Sequence, residues 1–244
     1  IKSLKDSYYQ KDTSSSNGLT SSKSSTNIVN NITNKSSNVV SGGDLSITSG
    51  GDLNIVASNV SALGSGSLIA GRYTDSDAES DTFGQIIINS DADVNILNNK
   101  DTYYNYSHST KTKMSFNIQQ AIVGGFIAGP AGFLVAGAKK DTLSTTLGST
   151  REEIIESNLS FGNSLTIASA KDLNLRSSIL ETTSGDIILA ASNDINITAD
   201  SENNSSYYIG SSNGLYGSNK SDKVDISDIT HVSSRISSGN DLSI

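Results

Sequence analysis

The chain has 244 residues, a formal net charge of -8 and a pI of about 4.7, with no basic stripe, which excludes nucleic acid as a partner. Hydrophobic residues make up 34% and aromatics 6%, few for one compact core of this length, and Ser, Asn, Thr and Gly fill the difference. There is no cysteine, so disulfide staples and thiolate metal sites are excluded.

Such a composition suits disorder unless its apolar residues are placed periodically. The first 35 residues are polar and contain Asp6-Ser7-Tyr8-Tyr9 and then Ser16-Asn17-Gly18-Leu19. Asn-Gly is a hairpin-turn signal, because both residues tolerate positive φ. From residue 43 a short unit recurs: a turn residue or two, then apolar–polar–apolar. It reads Gly43-Asp44-Leu45-Ser46-Ile47 and Gly51-Asp52-Leu53-Asn54-Ile55, then Ala92-Asp93-Val94-Asn95-Ile96. It returns as Asn163-Ser164-Leu165-Thr166-Ile167, Lys171-Asp172-Leu173-Asn174-Leu175, Gly185-Asp186-Ile187-Ile188-Leu189, Asn193-Asp194-Ile195-Asn196-Ile197 and Asn240-Asp241-Leu242-Ser243-Ile244.

Period-two alternation predicts strands whose first and third residues face inward and whose middle residue faces water. A unit this short cannot bury its own apolar pair, so copies must stack. Leu45 to Leu53, Leu165 to Leu173 and Ile187 to Ile195 are each eight residues apart, and Leu165 to Ile187 is twenty-two. Leu45 to Leu68 is twenty-three, and Val60 and Ile179 supply a third apolar point. The spacing predicts an all-β solenoid of three short strands and about 22 residues per coil, with parallel hydrogen bonding between coils. An antiparallel β-sandwich also alternates, but with less constant spacing.

Four excursions break the array, at approximately 1–35, 71–84, 98–157 and 199–235, and are predicted to be long hairpins or Ser-rich loops. Asp101-Thr102-Tyr103-Tyr104 and Ser205-Ser206-Tyr207-Tyr208 repeat the first tyrosine pair, and Ser212-Asn213-Gly214-Leu215 repeats the Asn-Gly turn. Insertions recurring at one coil position should emerge on one face of the rod, with the tyrosines anchoring each hairpin base against it. Ser149-Thr150-Arg151-Glu152-Glu153 fits either a capped helix or a returning hairpin strand. The chain begins at Ile1 without Met or signal peptide and stops inside a repeat, as expected for a single segment, 1–244, of a longer array.

Ala121 to Ala138 reads AIVGGFIAGPAGFLVAGA, eighteen residues without charge, followed by Lys139 and Lys140. Its length is just sufficient to span a bilayer, yet five glycines and Pro130 oppose a stable helix. Either it folds onto the rod about Gly129-Pro130, or it contacts a membrane or partner through Ile122, Val123, Phe126, Ile127, Phe133, Leu134 and Val135.

No catalytic, cofactor or metal motif stands out, so an enzyme is not expected. His108 and His231 both fall in polar excursions. Parallel β-helices also serve as polysaccharide lyases, but Asp44, Asp52, Asp172 and Asp194 sit at turns, where turn chemistry explains them.

The Gly/Asn-Asp-Leu-x-Ile units, with Ser-rich excursions between them, resemble the haemagglutinin repeats of filamentous-haemagglutinin-type exoproteins over essentially the whole chain. That family includes the stick-like effectors of contact-dependent growth inhibition. The resemblance implies a right-handed parallel β-helix, two-partner secretion through a transporter, and a place at the Gram-negative cell surface. It further implies a stalk acting in adhesion, or in delivery of a C-terminal toxin, against a target-cell outer membrane or surface receptor. Membrane engagement through 121–138 is the alternative reading, and a carbohydrate-active β-helix a further one.

Overall fold

In a computed structural model, which describes residues 1–116, 138–214 and 219–244, every helix or strand element is a strand. Each turn dipeptide redirects the chain, and two to five residues of alternating pattern follow as a strand. The first coil is β3 (Asn38–Ser41), β4 (Leu45–Ser49) and β5 (Leu53–Val56). The second is β6 (Asn59–Ala62), β7 (Gly66–Ala70) and β10 (Val94–Leu97), and the third β13 (Ser157–Phe161), β14 (Leu165–Ser169) and β15 (Leu173–Arg176). The fourth is β16 (Ser178–Thr182), β17 (Ile187–Ala191) and β18 (Ile195–Thr198); β21 (Arg235–Ser237) and β22 (Leu242–Ser243) begin a fifth.

Strands at equivalent positions pair in parallel, giving three sheets: β5-β10-β15-β18, β3-β6-β13-β16-β21 and β4-β7-β14-β17-β22. We refer to them as the first, second and third sheets. The interior column holds Leu53, Ile55, Val94, Ile96, Leu173 and Leu175 from the first, Val60, Leu159, Phe161 and Leu180 from the second, and Leu68, Leu165, Ile167, Ile187 and Leu189 from the third, all buried. Each such side chain contributes roughly 1.5–3 kcal/mol. Phe161 is the largest; its ring lies where a side chain on Gly66 of the third sheet would fall, 2.3 Å from an added Cβ.

Register corrects the sequence in two places. Leu68 stacks on Ile47, while Leu45 faces Gly66, so that coil is 21 residues long. The interior residue of β16 is Leu180, aligned with Leu159; Ile179 lies outside the column, beside Asn158.

The turn aspartates bind coil to coil. Asp52 Oδ1 accepts the Asp93 N–H at 2.9 Å, Asp93 Oδ1 that of Asp172 at 3.1 Å, and Asp172 Oδ1 that of Asp194 at 3.1 Å. At another corner Asp44 accepts from the Ser65 N–H at 2.7 Å and Asp186 from that of Asp241 at 3.1 Å. The middle residues of the first sheet were expected simply to face water, but they form a ladder. Asn95 donates to Asn54, Asn174 to Asn95 and Asn196 to Asn174, at 3.1, 2.9 and 3.0 Å.

An entirely parallel architecture does not hold, because the excursions form an antiparallel sheet of their own. β1 (Leu4–Asn17) with β2 (Ser21–Lys35), β11 (Asn99–Phe116) with β12 (Ala138–Ile155), and β19 (Asp200–Gly214) with β20 (Lys220–Val232) are hairpins. They join side by side in the order β1-β2-β11-β12-β19-β20. All leave the corner between the first and second sheets. Residues 1–3 pair with Val56 as a strand preceding β5 would, so the first hairpin shares that corner. Corners one coil away are closed tightly at Ala57 (φ 46°) and Ser177 (φ 41°), in the left-handed region. Hairpins thus recur every second coil. Two coils rise about 9.6 Å and two antiparallel strands occupy about 9.6 Å, so rod and lateral sheet advance at one rate. A smaller hairpin, β8 (Arg72–Thr74) with β9 (Ile86–Ile88), leaves another corner. Its connecting turn is held by Asp75, which accepts from the Thr82 hydroxyl at 2.6 Å and the Asp77 N–H at 2.9 Å.

Candidate contact surface

The lateral sheet is fastened to the rod at its base by a polar cluster. Lys100 Nζ lies 3.2 Å from Glu152 Oε2 and 3.3 Å from Asp200 Oδ1, and donates to the Ser201 carbonyl. Asp200 Oδ2 accepts from the Asn98 amide at 3.0 Å and lies 3.7 Å from Arg176 Nε on the rod. Buried Asp101 accepts from the Asn34 N–H at 2.6 Å and its amide at 3.0 Å, joining the first two hairpins.

Burial alone would lift the carboxyl pKa of Glu152 and of Asp200. Hydrogen bonds outweigh it, from Asn203 and Lys100 to Glu152 and from Asn98, Ser201 and Lys100 to Asp200, and hold both below the usual carboxylate range. Burial opposes the Lys100 charge, but these two carboxylates raise its pKa. Lowered folded-state carboxyl values give stability that is fully present above the unfolded values and lost as pH falls through the folded ones. Lys100→Met should cost about 1–3 kcal/mol at pH 7 by leaving half-buried Glu152 without its cation and Asp200 with Arg176 alone. Because protonation relieves those charges, the gap from the parent should narrow toward about pH 3, measured by chemical denaturation at both values.

Above this base the sheet is a single layer. Strand alternation places Tyr103 and Asn105 of β11, Leu147, Ser149 and Arg151 of β12, Asn204, Ser206 and Tyr208 of β19, and Val224, Ile226 and Asp228 of β20 on one face. Three open depressions follow one another along it. One of about 440 Å³ is lined by Val29, Asn105, Leu147, Tyr208, Val224 and Ile226. A second, about 510 Å³, lies nearer the rod between Tyr103, Arg151, Asn204 and Asp228, and a third, about 230 Å³, nearer the tip at Lys111, Lys113, Leu143 and Ser212. The Arg151 guanidinium sits 5.7 Å from the Tyr103 ring centre. Burial first, then the Asp101 charge, raises the Tyr103 pKa, so its hydroxyl stays protonated. Leu147, Val224 and Ile226 are 48%, 51% and 62% exposed, so this face offers apolar and aromatic surface amid amides and hydroxyls.

The tyrosine pairs do not anchor the hairpins against the rod. Tyr8 and Tyr9 are largely exposed and point to opposite faces of the sheet. Tyr8 and Tyr103 share a row through Asn31, whereas Tyr208 falls in the row of Leu147 and Ser107, nearer the tip. Tyr207, on the other face, covers Gly148, which has no side chain to oppose the ring. His108 shares that other face and is hydrogen-bonded to Thr146 and Thr110, at 2.8 and 3.2 Å. Residues 149–153 belong to β12, which settles the strand alternative. Among the described residues no group of three acidic or histidine side chains could hold a metal, and no helix is long and apolar enough to cross a membrane. Ile122, Val123, Phe126, Ile127, Phe133, Leu134 and Val135 lie outside the described residues. Nothing in the sequence marked Lys100, Glu152 and Asp200 as partners, since the first two stand at opposite ends of one excursion and the third begins the next, two coils later.

A family model for the hemagglutinin repeat matches residues 17–150, from the turn of the first hairpin into β12. No curated protein and no solved structure matches the chain.

Proposed function

The chain belongs to the hemagglutinin-repeat family, and from that premise we propose that it is a non-catalytic stalk segment of a secreted cell-surface adhesin. In this reading the coils form a right-handed parallel β-helix, exported through a dedicated transporter and held at a Gram-negative outer membrane. The lateral sheet presents the contact surface to a receptor or outer membrane of a neighbouring cell. One observation carries the reading: the three long hairpins leave the same corner every second coil and merge into one sheet. A rod that served only as a spacer would need no such lateral surface, whose Leu147, Tyr208 and Ile226 face solvent.

The purified chain is expected to bind target cells saturably. Leu147→Ser, Tyr208→Ser and Ile226→Ser together should weaken that binding by about tenfold or more, since central aromatic and aliphatic side chains carry most contact energy. Equal binding by parent and triple variant, with strand content unchanged, would refute a contact role for this face.

A second reading, membrane engagement in support of toxin delivery, is favoured by the position of the apolar segment. It connects the ends of β11 and β12, whose last described pair is Phe116 with Ala138, in the longest of the three hairpins. Flotation of the chain with liposomes separates the readings. Lipid binding that is lost on Phe126→Asp with Phe133→Asp supports membrane engagement, and absence of flotation removes it.

A further inference from the structure

Among the described residues the lateral sheet ends in two unpaired edges, β1 and β20, and their charges differ in arrangement. β20 reads KSDKVDISDITHV, and among the described residues no strand pairs with its edge away from β19. Exposed edges commonly carry charges that discourage pairing. On β20 one two-fold self-pairing sets more opposite charges together than any other. With two β20 strands antiparallel and centred on Val224, Lys220 opposes Asp228, Lys223 opposes Asp225 and Ser221 opposes Ser227. By two-fold symmetry this makes four opposite-charge pairs and no like-charge pair. Centring on Lys223 or Asp225 sets like charges against each other at the centre, and centring on Asp222 or Asp228 does the same. Centring on β1 residues behaves differently: Tyr8 as centre sets Lys5 against Lys11, and Tyr9 sets Asp6 against Asp12.

We propose that β20 is a homodimerisation edge, at which a second copy of this chain adds its own β20 antiparallel in the register centred on Val224. The sheet then runs without interruption through both molecules, twelve strands across, with the rods on opposite sides. Lys223 already contacts Asp225 within its own strand, so the two copies bring together a square of alternating charge on one face. Val224 meets its symmetry mate on the other face, with Ile226 of each copy alongside; these side chains are 51% and 62% exposed in the single chain. The paired stretch, residues 220–228, is long enough for a regular two-strand ladder.

Sedimentation of the full chain tests this with two charge variants, Asp225→Lys with Asp228→Lys, and Lys220→Asp with Lys223→Asp. The parent is expected to dimerise with concentration, less so at high salt. Each variant alone should dimerise at least about tenfold more weakly, because every cross-strand pair becomes like-charged. An equimolar mixture of the two should recover a heterodimer, an outcome that a folding defect in either variant cannot produce. A parent monomeric at all concentrations, variants that dimerise as the parent does, or open-ended oligomers in place of a dimer would each overturn the proposal.

Discussion

Phe161→Ala should lower stability by about 3–5 kcal/mol, the largest effect of any single truncation in the rod. The ring is 1% exposed and belongs to the coil that follows the longest hairpin, in β13 between β6 and β16. It crosses the column to the space above Gly66, where an added Cβ would meet the ring at 2.3 to 2.6 Å. Truncation therefore opens a cavity between the second and third sheets, at the centre of the stack, where coils on both sides lose packing. Gly66→Val alone should also destabilise, by about 1–3 kcal/mol, through overpacking against the ring. The two together should cost less than their sum, because the valine enters the space the ring vacates. Urea denaturation of the parent, both single variants and the double variant measures the coupling; strict additivity would show that the two residues do not share a space.

The second large effect concerns the matched advance of rod and lateral sheet. Deleting residues 177–198 removes one whole coil and joins Arg176 to Ala199, in the register by which Arg176 aligns with Thr198. The rod should reseal, since Leu173 and Leu175 would then precede the third hairpin as Ile195 and Ile197 do now. The hairpin 200–232, however, would leave only one coil after hairpin 99–155, a rise of about 4.8 Å for two strands that need about 9.6 Å. Pairing of Asp141–Thr150 with Gly214–Ser205 should be lost. At roughly 0.2–1 kcal/mol for each cross-strand pair, that ladder is worth several kcal/mol. Hydrogen exchange should show protection lost over 200–214 and kept over β14 and β15. Retained protection in both regions would mean that the lateral sheet does not depend on coil spacing.

The parts of the fold that were legible in the sequence follow from local periodicity. Leu173-Asn174-Leu175 and its relatives alternate because every second side chain enters the column, and the eight-residue step between strands survives wherever no insertion intervenes. Where the signal weakens, register decides. Ile179 and Leu180 are adjacent apolar residues, and only stacking on Leu159 shows that Leu180 is the interior one. The aspartate and asparagine ladders were hidden for a different reason. Asp93 and Asp172 are 79 residues apart across the longest excursion, so their bond exists only once two coils are stacked. Turn propensity explained each aspartate singly and concealed the shared role.

The lateral sheet was less legible still. Its strands alternate polar with polar, as in Ser14 and Ser15 or Thr110 and Thr112, so hydrophobic patterning says little about faces or register. The Asn17-Gly18 signal did mark a turn, where the Gly18 N–H donates to the Ser21 carbonyl. That separate hairpins should fuse depended on their spacing in coils, a quantity that emerges only after the rod is built. The tyrosine pairs misled because they recur in sequence without recurring in one row of the sheet.

The absence of native cysteine permits a direct test of the whole arrangement by paired cysteine substitution. Asn95→Cys with Asn174→Cys spans neighbouring coils on the rod, and Asn27→Cys with Ser107→Cys spans the first and second hairpins. Parallel and antiparallel neighbours both bring Cα atoms within about 5–6 Å, inside the range that a disulfide bridges. Both pairs should cross-link rapidly and completely under mild oxidation, while pairs offset by two residues along one strand should not. Failure of Asn95 and Asn174 to cross-link, with the offset pairs reacting equally well, would contradict a rod of stacked parallel coils and the lateral sheet that grows from it.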